Sequence, residues 1–323
     1  MNILIAIFSD PVWSLPPEQV DRLRRTFPRH HFTCARDEPE LLDALPLAEV
    51  AFSGQIDGAA LRQAPRLRWV QSPAAGVGRL LSPGMRARDV VVTNARGIHG
   101  VPIAEHVLGV SIALARQFGP AIRNQAGHRW QKPAVAEIGT LCGRRMGIVG
   151  LGAVGSAIAR MAAAVGMRIS ALRRSPDCPP VDSVDVIYGP AQLDDLLAAS
   201  DVLVLAAPLT PETTGLIGAR ELRLMKRSAF LVNVSRGKLV KEGELARELA
   251  AGTIAGAALD VFEHEPLDPE SPLWDQPNVI VTPHTSAFFP EYWQLAVDLF
   301  ARNLHRFENG EPLLNVVDKT AGY

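Results

Sequence analysis

The stretch RRMGIVGLGAVGSAIARMAAAVG, residues 144–166, decides the reading of this chain. Its opening, RRMGIVG, is a short apolar run of strand length, and the alanine-rich AVGSAIARMAAAVG that follows has the composition of a helix. Between them lies Gly150-Leu151-Gly152-Ala153-Val154-Gly155, a GxGxxG in the setting that gives the motif physical meaning. Gly150 permits the tight turn, Gly152 lets the backbone approach a pyrophosphate, and Gly155 allows close helix packing. The helix start then offers unpaired N–H groups and a positive dipole end to the phosphates. A dinucleotide-binding βαβ unit is therefore expected.

Working outward, the same alternation continues. Strands are expected near Met146–Val149, Arg168–Leu172, Val184–Ile187, Val202–Ala206, Ala229–Val234, Ala255–Asp260 and Val279–Thr282, which suits one doubly wound parallel sheet. Upstream, Val101–Phe118 reads as one long buried helix followed by a polar stretch, Arg123–Pro133. The N-terminal part is less regular: strands at Ile3–Phe8, Val50–Ser53, Trp69–Gln71 and Val90–Thr93, with helices at Pro17–Arg25 and Glu38–Leu45. A last helix covers Pro290–Glu308. At 323 residues, two domains are the expectation.

If the cofactor carried an unmodified ribose, an acid should stand about 20 residues beyond the glycines. Arg173, 18 residues past Gly155, stands there instead, followed by Arg174 and Ser175. Two guanidiniums and a hydroxyl suit a 2′-phosphate, which an acid would repel. NADP is favoured over NAD on this ground. The alternative is a solvated strand end with Asp177 as the ribose contact.

Composition narrows the function. Thirty-three basic and 34 acidic side chains leave a net charge of −1, without the basic surplus that nucleic acid or an anionic membrane surface draws on. Apolar residues at 47% and charged residues at 21% are ordinary globular usage. The longest apolar runs fall far short of the ~20 residues of a membrane helix. The N-terminus lacks a basic leader region and meets Asp10-Pro11 early, so it reads as the first strand of a cytoplasmic protein. Cys34, Cys142 and Cys178 form no CxxC, so neither a disulfide framework nor a zinc site follows.

In an open parallel sheet, chemistry gathers beyond the carboxyl ends of the strands. Arg236 follows LVNVS, Glu265 follows ALDVFEH, and His284 follows VIVTP. Hydride transfer to a ketone leaves an alkoxide that needs a proton, which histidine supplies near working pH. A neighbouring carboxylate orients the imidazole, and a guanidinium binds a substrate carboxylate and polarises its keto oxygen. Taken singly, each also fits a surface charge, a turn or an acidic loop; the combination on one nucleotide-binding sheet points to the reaction.

GLGAVG, PLTPET (208–213), VNVSRG (232–237), ALDVFEHEPL (258–267) and NVIVTPHTS (278–286), with SPAAGVGRLL, TNARGIHGVPIAEHVLG and PLLNVVD, resemble the D-isomer-specific 2-hydroxyacid dehydrogenase family over nearly the whole chain. The resemblance implies an α/β fold of two Rossmann-like domains with the active site in their cleft. The cofactor domain, 97–289, is inserted into a discontinuous substrate domain, 1–96 plus 290–323, with hinges near Arg96 and Phe289. It implies a homodimer formed through the cofactor domains. By the same resemblance Arg236 would anchor the substrate, His284 would be the acid/base and Glu265 its partner. Ala153 and Val154 would lie by the pyrophosphate, Ala207, Pro208 and Thr213 along the cofactor, and Val234 and Asp260 near the nicotinamide, with Ser235 a further cofactor-binding residue. The loop Ala75-Gly76-Val77 resembles the family's substrate loop, whose backbone N–H groups grip the carboxylate; a plain turn is the alternative there.

Departures from the family pattern refine this. Glu265 argues against formate oxidation, and the end at Tyr323 against a C-terminal regulatory domain. Arg173 resembles the glyoxylate/hydroxypyruvate reductase branch, which prefers NADPH. Trp130 resembles a tryptophan that in some reductases reaches the partner's active site, with dimer packing as its other reading. The expected activity is reduction of a small 2-oxoacid to a D-2-hydroxyacid; a nucleotide-sensing corepressor and a dehydrogenase of an unusual substrate such as phosphite are the alternatives.

Overall fold

The computed structural model describes residues 1–8, 13–175 and 181–322, so Asp10, Pro11, Asp177 and Cys178 lie outside the described residues. The chain forms two compact units, Met1–Ile98 with Phe289–Tyr323, and His99–Phe288.

The first unit contains β1 (Asn2–Ala6), α1 (Pro17–Thr26), β2 (His31–Ala35), α2 (Glu38–Ala44), β3 (Val50–Ser53), α3 (Gly58–Arg62), β4 (Trp69–Gln71), α4 (Pro83–Ala87) and β5 (Val91–Thr93). Its five strands are all parallel in the order β2-β1-β3-β4-β5. Aspartates start two of the helices: Asp37 accepts from the Glu40 N–H at 2.9 Å, and Asp57 from the Ala59 and Ala60 N–H groups at 2.8 and 2.9 Å. The C-terminal helix, Tyr292–Glu308, covers one sheet face, where Phe300 stacks on Phe52 and Trp69 at 4.7 and 5.3 Å.

The second unit runs α5 (Gly100–Ala115), α6 (Phe118–Ala126), β6 (Arg145–Val149), α7 (Ala153–Ala164), β7 (Arg168–Leu172), β8 (Val186–Tyr188), α8 (Leu193–Ala199), β9 (Val202–Leu205), α9 (Ala219–Leu224), β10 (Phe230–Asn233), α10 (Glu242–Ala250), β11 (Gly256–Leu259) and β12 (Val279–Val281). Its seven parallel strands follow the order β12-β11-β10-β9-β6-β7-β8. Every residue of β9 and β11 is buried, as a parallel strand covered on both faces requires. One core packs α5 and α7 against one face, with Val107, Ile148 and Ile158 at its centre. The other, around Leu196, Leu203, Leu231 and Leu245, lies under α8, α9 and α10. Each such aliphatic side chain contributes about 1.5–3 kcal/mol by leaving water. The order reverses between β6 and β9, which opens a crevice at their carboxyl ends.

Several expected boundaries need correction. The single helix expected over Val101–Phe118 stops at Ala115, because Gln117 takes a left-handed φ of 59° and a new helix begins at Phe118. That helix runs into the stretch read as polar from Arg123, and none of its residues is buried. The first strand ends at Ala6 rather than Phe8. The strand His31–Ala35 was not expected.

Candidate active site

The cradle at the β6–α7 turn follows from steric demands at its glycines. Gly150 has φ +99°, and a Cβ there would come within 2.7 Å of the Ala207 backbone nitrogen just beyond β9. A Cβ on Gly155 would overlap the Gly150 carbonyl oxygen. The two strands at the order reversal are thereby drawn together. Gly152 is different: a Cβ would meet nothing within 4 Å, so open space lies beside it. It caps α7 with no side-chain hydrogen bond to the first amides, which begin at Ala153 and Val154. Open space at a helix start with uncapped amides fits a pyrophosphate.

At the next strand, the Arg173 N–H donates to the Tyr188 carbonyl at 3.1 Å, with Arg174 and Ser175 exposed beyond it. These residues follow β7, the immediate neighbour of β6, where a 2′-phosphate would be met. Past Ala207 and Pro208, the Thr213 hydroxyl donates to the Pro208 carbonyl at 2.8 Å and accepts from the Thr210 N–H at 2.8 Å, which closes the turn. Hydrogen bonds from Thr210 and from the residue's own N–H, together with the charge of Arg174, hold the Glu212 carboxyl below the usual glutamate range.

Three strand ends bring the polar residues together. The loop after β10 carries Val234, Ser235 and Arg236. Asn233 fixes its shape: its Oδ1 accepts from the Ser235 N–H at 3.2 Å, and its amide donates to the Arg236 carbonyl at 3.1 Å. The next residue, Gly237, must be glycine, because a Cβ would overlap the backbone of Phe262 and Glu263. That close approach sets Arg236 beside the segment that leads to Glu265. Burial lowers the Arg236 pKa, and the Glu265 carboxylate opposes that effect.

Glu265 uses both oxygens. Oε1 accepts from the Phe262 N–H at 3.0 Å, and Oε2 lies 2.7 Å from His284 Nδ1. Burial works to raise its carboxyl, but the hydrogen bonds from His284 and Phe262 and the charges of His284 and Arg236 prevail and hold it below the glutamate range. With Nδ1 engaged, Nε2 is the imidazole nitrogen left for a reactant.

His284 itself has a left-handed φ of 55°, uncommon for a residue with a side chain and costly by about 1–3 kcal/mol. Asp260, 1% exposed, maintains that conformation. Its carbonyl accepts from the His284 N–H at 2.9 Å, and its carboxylate accepts from the Thr282 hydroxyl at 2.6 Å, the Thr285 N–H at 2.9 Å and the Ser286 N–H at 3.0 Å. His106, reaching from α5, lies 3.4 Å from the Thr282 hydroxyl, and burial lowers its pKa.

Asn233, Thr282 and His106 escaped the sequence reading. Asn233 left one sign, a polar residue inside the apolar run LVNV; Thr282 and His106 are 176 positions apart and left none. In the first unit, the segment Ala75-Gly76-Val77 follows β4, with Ala75 and Gly76 exposed and Val77 buried. Among the described residues no group of three or more His, Cys, Asp or Glu side chains could hold a metal ion, and no helix is long and apolar enough to cross a membrane.

Comparison with known proteins places these features in context. Residues 108–286 match the family model described as D-isomer specific 2-hydroxyacid dehydrogenase, NAD binding domain. The chain is 35% identical to a glycerate dehydrogenase of Methylorubrum extorquens over 288 residues, covering 86% of this chain and 88% of that one. It is 36% identical to a glyoxylate reductase of Thermococcus gammatolerans, covering 95% and 94%. Among solved structures, an NADPH-dependent glyoxylate/hydroxypyruvate reductase from Sinorhizobium meliloti, in complex with NADP and sulfate, is similar with a TM-score of 0.86 and 30% identity over the whole of both chains.

Proposed function

From the premise that this chain belongs to the D-isomer specific 2-hydroxyacid dehydrogenase family, we propose that it is an NADPH-preferring reductase of glyoxylate, hydroxypyruvate or a similar small 2-oxoacid. The coarser activity follows from membership: an NAD(P)H-dependent oxidoreductase that reduces a 2-oxoacid to a D-2-hydroxyacid by hydride transfer. The observation that carries the reading is the 2.7 Å pairing of His284 Nδ1 with Glu265, with Arg236 drawn alongside.

When bound, the nicotinamide supplies the hydride that C2 receives. The protein's own groups do the rest. Arg236 binds the substrate carboxylate and polarises the keto oxygen, with backbone N–H groups of Ala75, Gly76 and Val77 as further donors. As negative charge develops on that oxygen, His284 delivers a proton from Nε2. Glu265 keeps Nδ1 occupied and fixes the ring plane, which leaves Nε2 for the substrate oxygen. In the oxidative direction the same nitrogen takes the proton back.

Gly150, Gly152, Ala153, Val154 and Gly155 would hold the pyrophosphate, and Ala207, Pro208 and Thr213 would line the cofactor. Val234, Ser235 and Asp260 would lie toward the nicotinamide, Asp260 through backbone and loop geometry, since its carboxylate is already engaged. Arg173, Arg174 and Ser175 support the NADPH preference, as does the NADP in the Sinorhizobium enzyme. Exposed Phe118, Ile122, Trp130 and Val135, at 48%, 63%, 93% and 93%, support a second copy packed along residues 118–135 of the cofactor unit.

A rate matrix of glyoxylate, hydroxypyruvate, pyruvate and phenylpyruvate against NADPH and NADH tests the proposal. The highest kcat/KM should fall on glyoxylate or hydroxypyruvate with NADPH. Cofactor binding without oxoacid-dependent oxidation would instead indicate a nucleotide sensor.

A further inference from the structure

We propose that Tyr292 is a positioning residue for substrate, holding from behind the loop Pro73–Val77 that presents backbone N–H groups to the carboxylate. The inference rests on the oxoacid reductase reading and extends it to a residue 219 positions from the loop it holds.

The loop is fixed by its carbonyls. The Tyr292 hydroxyl donates to the Pro73 carbonyl at 2.6 Å, the Ala95 N–H to the Ala74 carbonyl at 3.1 Å, and the Asn94 side-chain amide to the Ala75 carbonyl at 2.9 Å. The Ser72 hydroxyl accepts from the Ala74 N–H at 3.1 Å. A trans peptide points its N–H opposite to its C=O. Carbonyls of Ala74 and Ala75 turned toward these donors therefore turn the N–H groups of Ala75 and Gly76 the other way, on the exposed side of the loop. Successive outward amides form an anion-binding concavity.

Within this set, Tyr292 is the side chain whose anchor comes from the far end of the sequence. It is the first residue of the C-terminal helix and is 3% exposed. Its ring is wedged against Trp13 at 4.5 Å, Trp293 at 5.2 Å and Phe289 at 5.8 Å. Burial pushes its phenol pKa up, so the proton that makes the hydrogen bond stays in place. Pro73 is buried too, so its carbonyl has little access to replacement water. Without the hydroxyl, that buried carbonyl would be left unpaired, and the first peptide of the loop would rotate to find a partner. The amides that follow would lose their alignment.

Tyr292→Phe tests this cleanly, because the ring contacts remain and only the oxygen goes. Wild type and variant are compared for kcat and KM with glyoxylate and hydroxypyruvate, for Ki of oxamate, a non-reducible mimic of a 2-oxocarboxylate, for NADPH Kd, and for Tm. A two- to tenfold rise in KM and in oxamate Ki is expected, the range set by one net hydrogen bond. The kcat should stay within about twofold, and NADPH Kd should not move. Unchanged KM and Ki in an active variant would overturn the positioning role. A parallel fall of kcat, cofactor affinity and Tm would also overturn it, marking Tyr292 as a general packing residue. A wild type without oxoacid-dependent NADPH oxidation would instead overturn the functional reading on which the inference stands.

Discussion

Asp260 holds the loop of His284 by main chain and side chain at once: its carbonyl accepts from the His284 N–H at 2.9 Å, while its carboxylate accepts from the two amides that follow. A left-handed histidine persists because these bonds over-determine its backbone. The histidine proposed as acid/base is thus set by a buried carboxylate.

Replacing Asp260 with Asn tests that relation. An amide offers one acceptor where the carboxylate offers two, so either the Ser286 N–H or the Thr282 and Thr285 donors would face an N–H group. The expected cost is about 1–3 kcal/mol in urea unfolding, with kcat reduced by about tenfold or more. A variant of wild-type stability and turnover would show that other contacts suffice.

The cofactor preference predicts a selective loss. Arg173→Ala combined with Arg174→Ala should raise the KM for NADPH by about tenfold or more while changing that for NADH by about twofold or less, since charge-assisted bonds to the 2′-phosphate are worth roughly 1.5–3 kcal/mol each. Equal losses for both cofactors would remove these residues from phosphate recognition.

Glu265 supplies a pH signature. Its carboxyl is held below the ordinary glutamate range in the folded chain, so the unfolded chain binds the proton at higher pH. Its stabilising contribution is present above the unfolded value of about 4.3 and is lost as pH falls through the depressed folded value. Tm of wild type minus Tm of Glu265→Gln should therefore be positive at pH 6–7 and shrink steadily below pH 4.5. A difference independent of pH would indicate that charge plays no part.

Glu242 should behave in the opposite sense. Burial, with the neighbouring charge of Glu263 adding to it, raises its carboxyl pKa, although the Glu263 N–H donates to it at 3.1 Å. A raised acid loses stability as pH rises from the unfolded toward the folded value. Glu242→Gln keeps an acceptor for that N–H, so it should melt higher than wild type at pH 7 and about the same at pH 4. A lower Tm at pH 7 would show the charged form to be favourable.

Much of the second unit is written locally, and much of its site is not. Three glycines flanked by a strand and a helix are legible by their spacing: Gly150 and Gly155 meet steric demands, and Gly152 leaves open space at the helix start. Arg236, Glu265 and His284 are legible because polar residues ending apolar strands stand out from the pattern. Asn233 is masked by the strand that contains it, and Thr282 and His106 gain meaning only when the sheet sets β12 beside α5. The strand His31–Ala35 alternates too little, with a Thr and a Cys at half-buried positions, to announce itself. Phe118–Ala126 is hidden for another reason: it begins at Phe118, the last residue of the longer helix expected there, and the break falls at Gln117, whose left-handed φ no residue type announces.

The most direct test of the account is steady-state NADPH oxidation by His284→Asn with glyoxylate or hydroxypyruvate. If Nε2 of the Glu265-paired histidine delivers the proton, kcat should fall by about 100- to 10,000-fold, with NADPH binding unchanged by fluorescence titration. Turnover within a few-fold of wild type would contradict it.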